Sequence, residues 1–355
     1  MTFDTDHFRI GNDAPTYFVA DIAANHDGSL ERALHLIEKA AAAGANGAKF
    51  QHFTAGQIVS DRGFRSLTGK MSHQAGWKKS VFEVYEDASL PRDWTPSLKE
   101  TCDRCGIDFF SSPYDFDAVD QLDRYVSMYK IGSGDINWTE IVERVARTGK
   151  LVMLATGAST IGDVQRAVNA VLRHNEKLVL MQCNTNYTGS LENFRHIHLN
   201  VLRTYRSMYP QMVLGLSDHT PGHATVLGAV ALGARVIEKH FTDDKGRVGP
   251  DHAFSMSPAD WKDMVDRTRE LENALGSGDK FIAGNETQTA VVQRRCVRAG
   301  IDLKAGMVLG REHLQVLRPA TLGGIEPSEI ERVVGKKLRQ DLAFGEHLSW
   351  GMLED

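Results

Sequence analysis

The sequence predicts an α/β fold in which a TIM (β/α)8 barrel is followed by a small β-rich domain. Three observations carry this. Eight short apolar runs alternate with helical patterns along roughly the first 280 residues, nearly every run ends in polar residues, and after Gly284 the pattern changes to short strand-like pieces punctuated by Gly and Pro. The first strand, YFVADIAA from Tyr17, leads into the helix SLERALHLIEKAAAAG, with Ser29 placed to cap it and Gly44 placed to stop it. GAKFQ from Gly47, IDFFSS from Ile107 and SMYKIGSG from Ser127 follow, then LVMLATG from Leu151, LVLMQCN from Leu178, VLGLSD from Val213 and RVIEKHF from Arg235. Eight βα units is the TIM-barrel number, whereas open doubly wound sheets commonly have about five or six parallel strands.

Between the second and third strands, an insertion from about Phe53 to Pro91 carries TGKMSHQAGWKKSVFEVYEDASLP. A loop of that length at the C-terminal side of a barrel strand is expected to form a lid or rim, or to help a dimer form. The C-terminal segment contains an internal repeat. Asp302-Leu303, Gly306, Leu309 and Leu314 recur as Asp341-Leu342, Gly345, Leu348 and Leu353, each offset by 39 residues. The predicted domains are therefore 1–284 and 285–355, the second too short to have much core of its own.

The 355 residues are 42% hydrophobic and 25% charged, which excludes a disordered or fibrous chain. With 41 Lys+Arg against 46 Asp+Glu, the net charge of -5 offers no basic surplus for a nucleic-acid backbone. The polar, acidic start and the lack of any apolar run near ~18 residues predict a soluble, cytoplasmic protein with no membrane partner. Cys102, Cys105, Cys183 and Cys296 are too scattered for a disulfide framework. The single C-x-x-C lies in a helical pattern with no second pair, which points away from metal or redox chemistry there.

Catalytic groups of TIM barrels sit at the C-terminal ends of strands. Here those ends carry Asp21, Asn25 and His26; Lys49 and Gln51; Ser111 and Ser112; Lys130, Ser133 and Asp135; Asn184 and Tyr187; Ser217, Asp218 and His219; and Glu238, Lys239 and His240. Lys49 and Lys130, with Ser112, Ser133 and the amides of the GSG turn, make a cradle for a phosphate or a phosphate plus carboxylate. The plainer alternative is a pair of surface lysines just past their strands. His219 and His240 end adjacent strands, close enough to hold one divalent ion whose other positions water or substrate would fill; two hydrogen-bonded rim histidines are the alternative. His196 and His198 read as surface residues.

The segments ADIAANHDGS, GAKFQ, SSPYD, YKIGSGD, ATGAS, GLSDHTPG, EKHFTDD and GPDHAFSM resemble the sialic acid synthases, which condense phosphoenolpyruvate with an N-acetylated amino sugar. QRRCVRAGIDLKAGMVLGREHLQVLRPA resembles that family's antifreeze-like, or SAF, domain, a β-clip fold. The resemblance implies phosphoenolpyruvate contacts at Lys49, Ser112, Lys130, Ser133 and Asp135, and a divalent ion, manganese or magnesium, at His219 and His240. It implies sugar contacts at Asp21, Gln51, Tyr187 and Asp251. Arg318 is implied to reach the acceptor's N-acetyl group across a domain-swapped homodimer.

Asp21 and Asp135 stand where the family commonly has glutamate, QCNTNYTG replaces the commoner H-C-x-x-x-Y-P, and RPA replaces RPG. Each aspartate has about 1.5 Å less reach than glutamate. The expected reaction is an aldol-type condensation with C–O cleavage, with Lys49 and Lys130 holding phosphoenolpyruvate and Asp135 steering water or a proton. The acceptor is expected to be N-acetylmannosamine or a 6-deoxy-diacetamido hexose. The alternatives are a synthase using a phosphorylated aldose and a non-catalytic carbohydrate-binding or assembly protein.

Overall fold

The computed structural model describes residues 1–67, 74 and 77–354. TGKMSH of the predicted insertion, with Ala75 and Gly76, lies outside the described residues. The chain divides into two compact units, Met1–Gly276 and Ser277–Asp355, so the break falls eight residues before the position expected from the sequence. No helix among the described residues is long and apolar enough to cross a membrane.

The first unit opens with an antiparallel hairpin of β1 (Thr2–Asp4) and β2 (Arg9–Gly11). Eight parallel strands then close into a barrel: β3 (Tyr17–Asp21), β4 (Gly47–His52), β5 (Asp108–Pro113), β6 (Met128–Ile131), β7 (Leu151–Ala155), β8 (Leu178–Cys183), β9 (Val213–Asp218) and β10 (Ala234–His240), with β10 pairing back to β3. The strands are buried almost without interruption because helices cover their outer faces and side chains fill the inside.

The crossovers are set by local chemistry. Ser29 Oγ accepts from Arg32 N at the start of Leu30–Ala42, and Gly44 leaves that helix at a φ of 95°. Thr160 and Asp163 form a reciprocal capping box before Ile161–Leu172. Part of the insertion forms Ala55–Ile58, Asp61–Ser66 and Val81–Ala88. Cys102 is buried in the helix Thr95–Cys105, and burial pushes both its thiol and that of Cys105 up, the opposite of a reactive pair.

The N-terminal hairpin is tied to the barrel's lower end by one buried carboxylate. Asp108 accepts from Thr5 Oγ1 (2.6 Å), Tyr17 OH (2.6 Å) and the His7 amide (3.0 Å). Asp108→Ala leaves three donors without their acceptor and is expected to lower stability by about 3 kcal/mol in urea denaturation. A change below about 1 kcal/mol would show that water replaces the carboxylate.

The second unit carries β11 (Cys296–Ala299) paired antiparallel to β12 (Leu314–Leu317), and β13 (Lys337–Leu338) paired to β14 (Leu353–Glu354). The helix Thr287–Gln293 precedes them, where only strand-like pieces were expected. The 39-residue repeat is a structural one. Leu303 and Leu342 exchange both backbone hydrogen bonds, Asp341 accepts from the Ala305 amide, and Asp302 accepts from the Phe344 amide. Each half's turn is thus held by the other half's aspartate. Gly306 and Gly345 occupy those turns at φ 83° and 84°, a conformation that suits glycine. Val297, Leu303, Leu309, Leu338, Leu342 and Leu348 form a separate core.

Candidate active site

At the C-terminal end of the barrel lies a cavity of about 400 Å³, reached by side chains from β3, β4, β6, β8, β9 and β10. Strand alternation selects what enters it. On β10, Glu238 and His240 face inward while Lys239 faces out, and on β9 Ser217 faces inward while Asp218 faces out. The outward pair forms a buried ion pair of 2.5 Å, with Thr220 and Thr225 also bonded to Asp218, behind the strands that carry the two histidines.

The cavity floor is a buried charge cluster. Lys49 Nζ lies 2.7 Å from Asp21 Oδ2 and 3.5 Å from Glu238 Oε2, while Lys130 Nζ lies 3.5 Å from Glu238 Oε1. Ser217 donates to Glu238 Oε1 at 2.9 Å. Burial opposes the charge on Glu238, yet Lys130 and Lys49 together bring its carboxyl down to about 2. Burial also opposes the charge on Lys49, but Asp21 and Glu238 raise its ammonium; Asp21 is itself raised by burial. Lys130 is lowered by burial, with Glu238 the largest offset and Cys183 and Asp21 adding less.

Ser112 Oγ, predicted to contact an anion, is buried with no hydrogen-bond partner among the described residues; it pairs in register with Gln51 but does not itself line the cavity. Ser133 Oγ accepts from the Gly157 amide at 2.9 Å, and a Cβ at Gly157 would fall 1.9 Å from Thr185 Oγ1, so only glycine permits this approach. Asp135 lines the cavity, and burial pushes its carboxyl up to about 6 against the pull of Lys130.

The imidazoles of His219 and His240 stand with ring centroids 5.4 Å apart, with Tyr187 4.4 Å from His219 and Phe254 4.8 Å from His240. His219 Nδ1 lies 3.0 Å from the Asn184 carbonyl; burial opposes charge on this imidazole, yet the Cys183 thiol and that carbonyl raise it. His240 Nδ1 is buried with no hydrogen-bond partner among the described residues, and burial pushes this imidazole down to about 3, so it is neutral. Two adjacent imidazoles at the cavity fit a divalent ion, although no group of three or more metal-ligating side chains exists among the described residues. Asp251 lies 3.9 Å from His240 Nδ1 and accepts from the Ala24 amide.

Gln51, Tyr187 and Asp251 line the same cavity as the lysines and histidines, as does Asp21. Arg318 belongs to the second unit, where it is exposed. His196 and His198 are exposed. Sequence reading named Glu238 only as a strand end, yet it bridges both lysines. The signal was present: Glu238 and Ser217 each lie two residues before a predicted ligand and so share its face. The aromatic wall of Phe53, Trp77, Tyr85 and Tyr114 was missed because it comes from the insertion and a neighbouring loop, which carry no strand periodicity.

A barrel with a buried cationic cradle and two imidazoles at its catalytic end defines an enzyme acting on a small anionic substrate. Residues 36–280 match the NeuB family, and residues 294–354 match the SAF domain. The chain is 33% identical over 350 residues to the N,N'-diacetyllegionaminic acid synthase of Legionella pneumophila, covering 97% of this chain and 96% of that one. It is 33% identical over 351 residues to the pseudaminic acid synthase of Campylobacter jejuni, covering 97% and 99%. The crystal structure of the N-acetylneuraminic acid (sialic acid) synthetase of Leptospira borgpetersenii with citrate superposes with a TM-score of 0.71 at 28% identity, covering 81% of this chain and 95% of that one. The chain belongs to the NeuB family, the phosphoenolpyruvate-condensing synthases of nonulosonic acids, and is an enzyme of the transferase class.

Proposed function

We propose that this enzyme condenses phosphoenolpyruvate with an unphosphorylated N-acetylated amino sugar, N-acetylmannosamine or a 6-deoxy-diacetamido hexose, to give a nonulosonic acid and phosphate. The carrying observation is the cradle. Lys130 is buried near a lysine already matched by Asp21, and Ser112, in register with the cavity-lining Gln51, has a buried hydroxyl with no partner among the described residues, which leaves cationic and donor capacity for a phosphate and a carboxylate. Support for an unphosphorylated acceptor comes from the outer wall, where Phe53, Ile58, Trp77, Val84, Tyr85 and Ala88 present carbon, and from the cavity's cations, which among the described residues are Lys49 and Lys130 plus its histidines.

In the reaction, C3 of phosphoenolpyruvate bonds to the aldehyde carbon of the open-chain sugar, water adds at C2, and the C2–O bond breaks to release phosphate. Lys49 and Lys130 hold the phosphoenolpyruvate oxygens so that C3 faces the acceptor. Asp135 takes a proton from the attacking water, and a carboxyl titrating at about 6 suits that exchange. His219 and His240 would hold a divalent ion, which supplies Lewis-acid polarisation of the acceptor carbonyl. Gln51, Tyr187 and Asp251 border the sugar, and Arg318 contacts its acyl group from the small domain of a second subunit in a domain-swapped homodimer. Light scattering should then give twice 39.3 kDa; a monomer mass would remove that arrangement.

The test is phosphate release from phosphoenolpyruvate with a divalent ion and a panel of hexosamines. Release with N-acetylated, unphosphorylated members is expected. Release with a phosphorylated aldose alone would overturn the acceptor, and no release with any member would favour a non-catalytic binding protein. With bridging-oxygen-labelled phosphoenolpyruvate, label in the keto acid rather than in phosphate would contradict C–O cleavage.

Asp135 carries a pH signature with opposite signs in stability and activity. Its folded value of about 6 lies above the ordinary carboxyl value of 3.8, so between these pH values the folded state keeps a proton that the unfolded state has lost. Stability therefore falls as pH rises through this window, and Asp135→Asn is expected to be more stable than the parent at pH 7 by on the order of 2 kcal/mol. Activity should rise with pH through about 6 in the parent, and the variant should be slow throughout. A variant that kept full turnover would remove Asp135 from proton transfer.

A further inference from the structure

In the second unit a charged side chain is buried where its strand neighbours are pure core. Arg298 lies in β11 between Val297 and Ala299, both fully buried, and is itself 9% exposed. No carboxylate lies within ion-pair distance of it among the described residues. Its guanidinium donates from Nη1 to the Gly345 carbonyl (2.7 Å) and from Nη2 to the Pro319 carbonyl (2.6 Å) and Thr321 Oγ1 (2.9 Å), while Nε has no partner. An apolar residue would fill this position without the desolvation cost of a cation, so packing alone does not explain an arginine.

What the arginine orders is the segment immediately after Arg318. Pro319 O also accepts from Cys296 Sγ at 3.3 Å, and the Ala320 amide donates to Val291 O at 2.9 Å, so residues 319, 320 and 321 are each tied down. Arg318 itself is exposed, and its side chain makes no hydrogen bond or ion pair among the described residues. A free guanidinium on a backbone already fixed is a preorganised recognition group, because little ordering remains to be done when the ligand arrives.

We propose that Arg298 is a positioning residue for Arg318, holding the 319–321 segment so that Arg318 is presented, ordered, to the acyl oxygen of the acceptor. This rests on the reading of Arg318 as an acceptor contact given above. The role needs a planar fork that reaches three acceptors at once, which lysine lacks. It also requires that the effects of Arg298 and Arg318 be non-additive, since one residue acts through the other.

Steady-state kinetics on the full chain test this with Arg318→Ala, Arg298→Met, Arg298→Lys, Thr321→Val and the Arg298→Met/Arg318→Ala double variant. Arg318→Ala should raise the acceptor KM by roughly 10- to 150-fold with the phosphoenolpyruvate KM unchanged. Both Arg298 variants should raise the acceptor KM about 10-fold with kcat nearly unchanged. Thr321→Val should act in the same direction by a few-fold, and it carries the test if the Arg298 variants fail to fold. The double variant should be no worse than Arg318→Ala. If Arg318→Ala raises KM but the Arg298 and Thr321 variants do not, the positioning role is wrong. Full additivity in the double variant would also overturn it. If Arg318→Ala itself leaves KM unchanged, the acceptor reading of Arg318 fails and the proposal with it.

Discussion

Lys130→Met is expected to lower kcat/KM for phosphoenolpyruvate by about 10²- to 10³-fold, read by phosphate release, the loss typical of removing one preorganised electrostatic contact. Lys130 is 2% exposed, its Nζ lies 3.5 Å from Glu238 Oε1, and it donates to the Ile131 carbonyl at 3.2 Å. Burial lowers it by more than Glu238 and its weaker anionic neighbours offset, so a substrate anion completes its surroundings. Methionine keeps the length and much of the volume, which confines the change to charge. The equivalent Lys49 change should cost more stability, because Asp21 at 2.7 Å would be left as a buried carboxylate without its partner. Unaltered kcat/KM in Lys130→Met would place phosphoenolpyruvate elsewhere.

Glu238→Gln is expected to destabilise the unliganded enzyme by about 3 kcal/mol, the scale of breaking a buried ion pair from one side. The substitution preserves shape and removes the one carboxylate within ion-pair distance of both buried ammonium groups. Inorganic phosphate should restore part of the lost melting temperature, because an anion bound only by the folded state shifts the equilibrium toward it. The pH dependence has a definite sign. The Glu238 carboxyl is held at about 2 in the folded state against its ordinary 4.5, so its contribution is fully present above about 4.5 and is lost as pH falls through about 2. Parent and variant should differ by a steady amount above about pH 5 and converge only as pH falls through about 2. An equal difference at both ends would show that packing rather than charge is responsible.

The barrel was legible because each strand is a short apolar run bounded by turn residues and followed by a capped helix, as with Ser29 before Leu30–Ala42. The lysines and histidines were legible as polar residues at strand ends. Glu238 shows the limit of that reading: a carboxylate flanked by a lysine in sequence looks locally paired, yet Lys239 turns outward to Asp218 and Glu238 turns inward to Lys49 and Lys130. Alternation along the strand separates the two, and applying it to every strand end would have found the bridge. The cavity wall from Phe53 to Ala88 was not legible, because loop side chains meet the barrel through tertiary packing that no local period encodes. In the small domain the repeat was visible as matched leucines and glycines, but the exchange of aspartates between halves needs the fold.

That exchange bears on how the small domain came to be one piece. Either copy of the repeat contains a turn whose stabilising carboxylate lies in the other copy, so alone it has an unsatisfied amide and an open leucine face. Two separate copies would have to find each other by diffusion, and their pairing would depend on concentration. Joining them end to end makes the encounter intramolecular, with an effective concentration in the millimolar range or above. The fused form is then free to let its two halves diverge. One half keeps the long β11–β12 pair and the arginine-held segment beside it, and the other is reduced to the two-residue strands β13 and β14 that complete the symmetric frame.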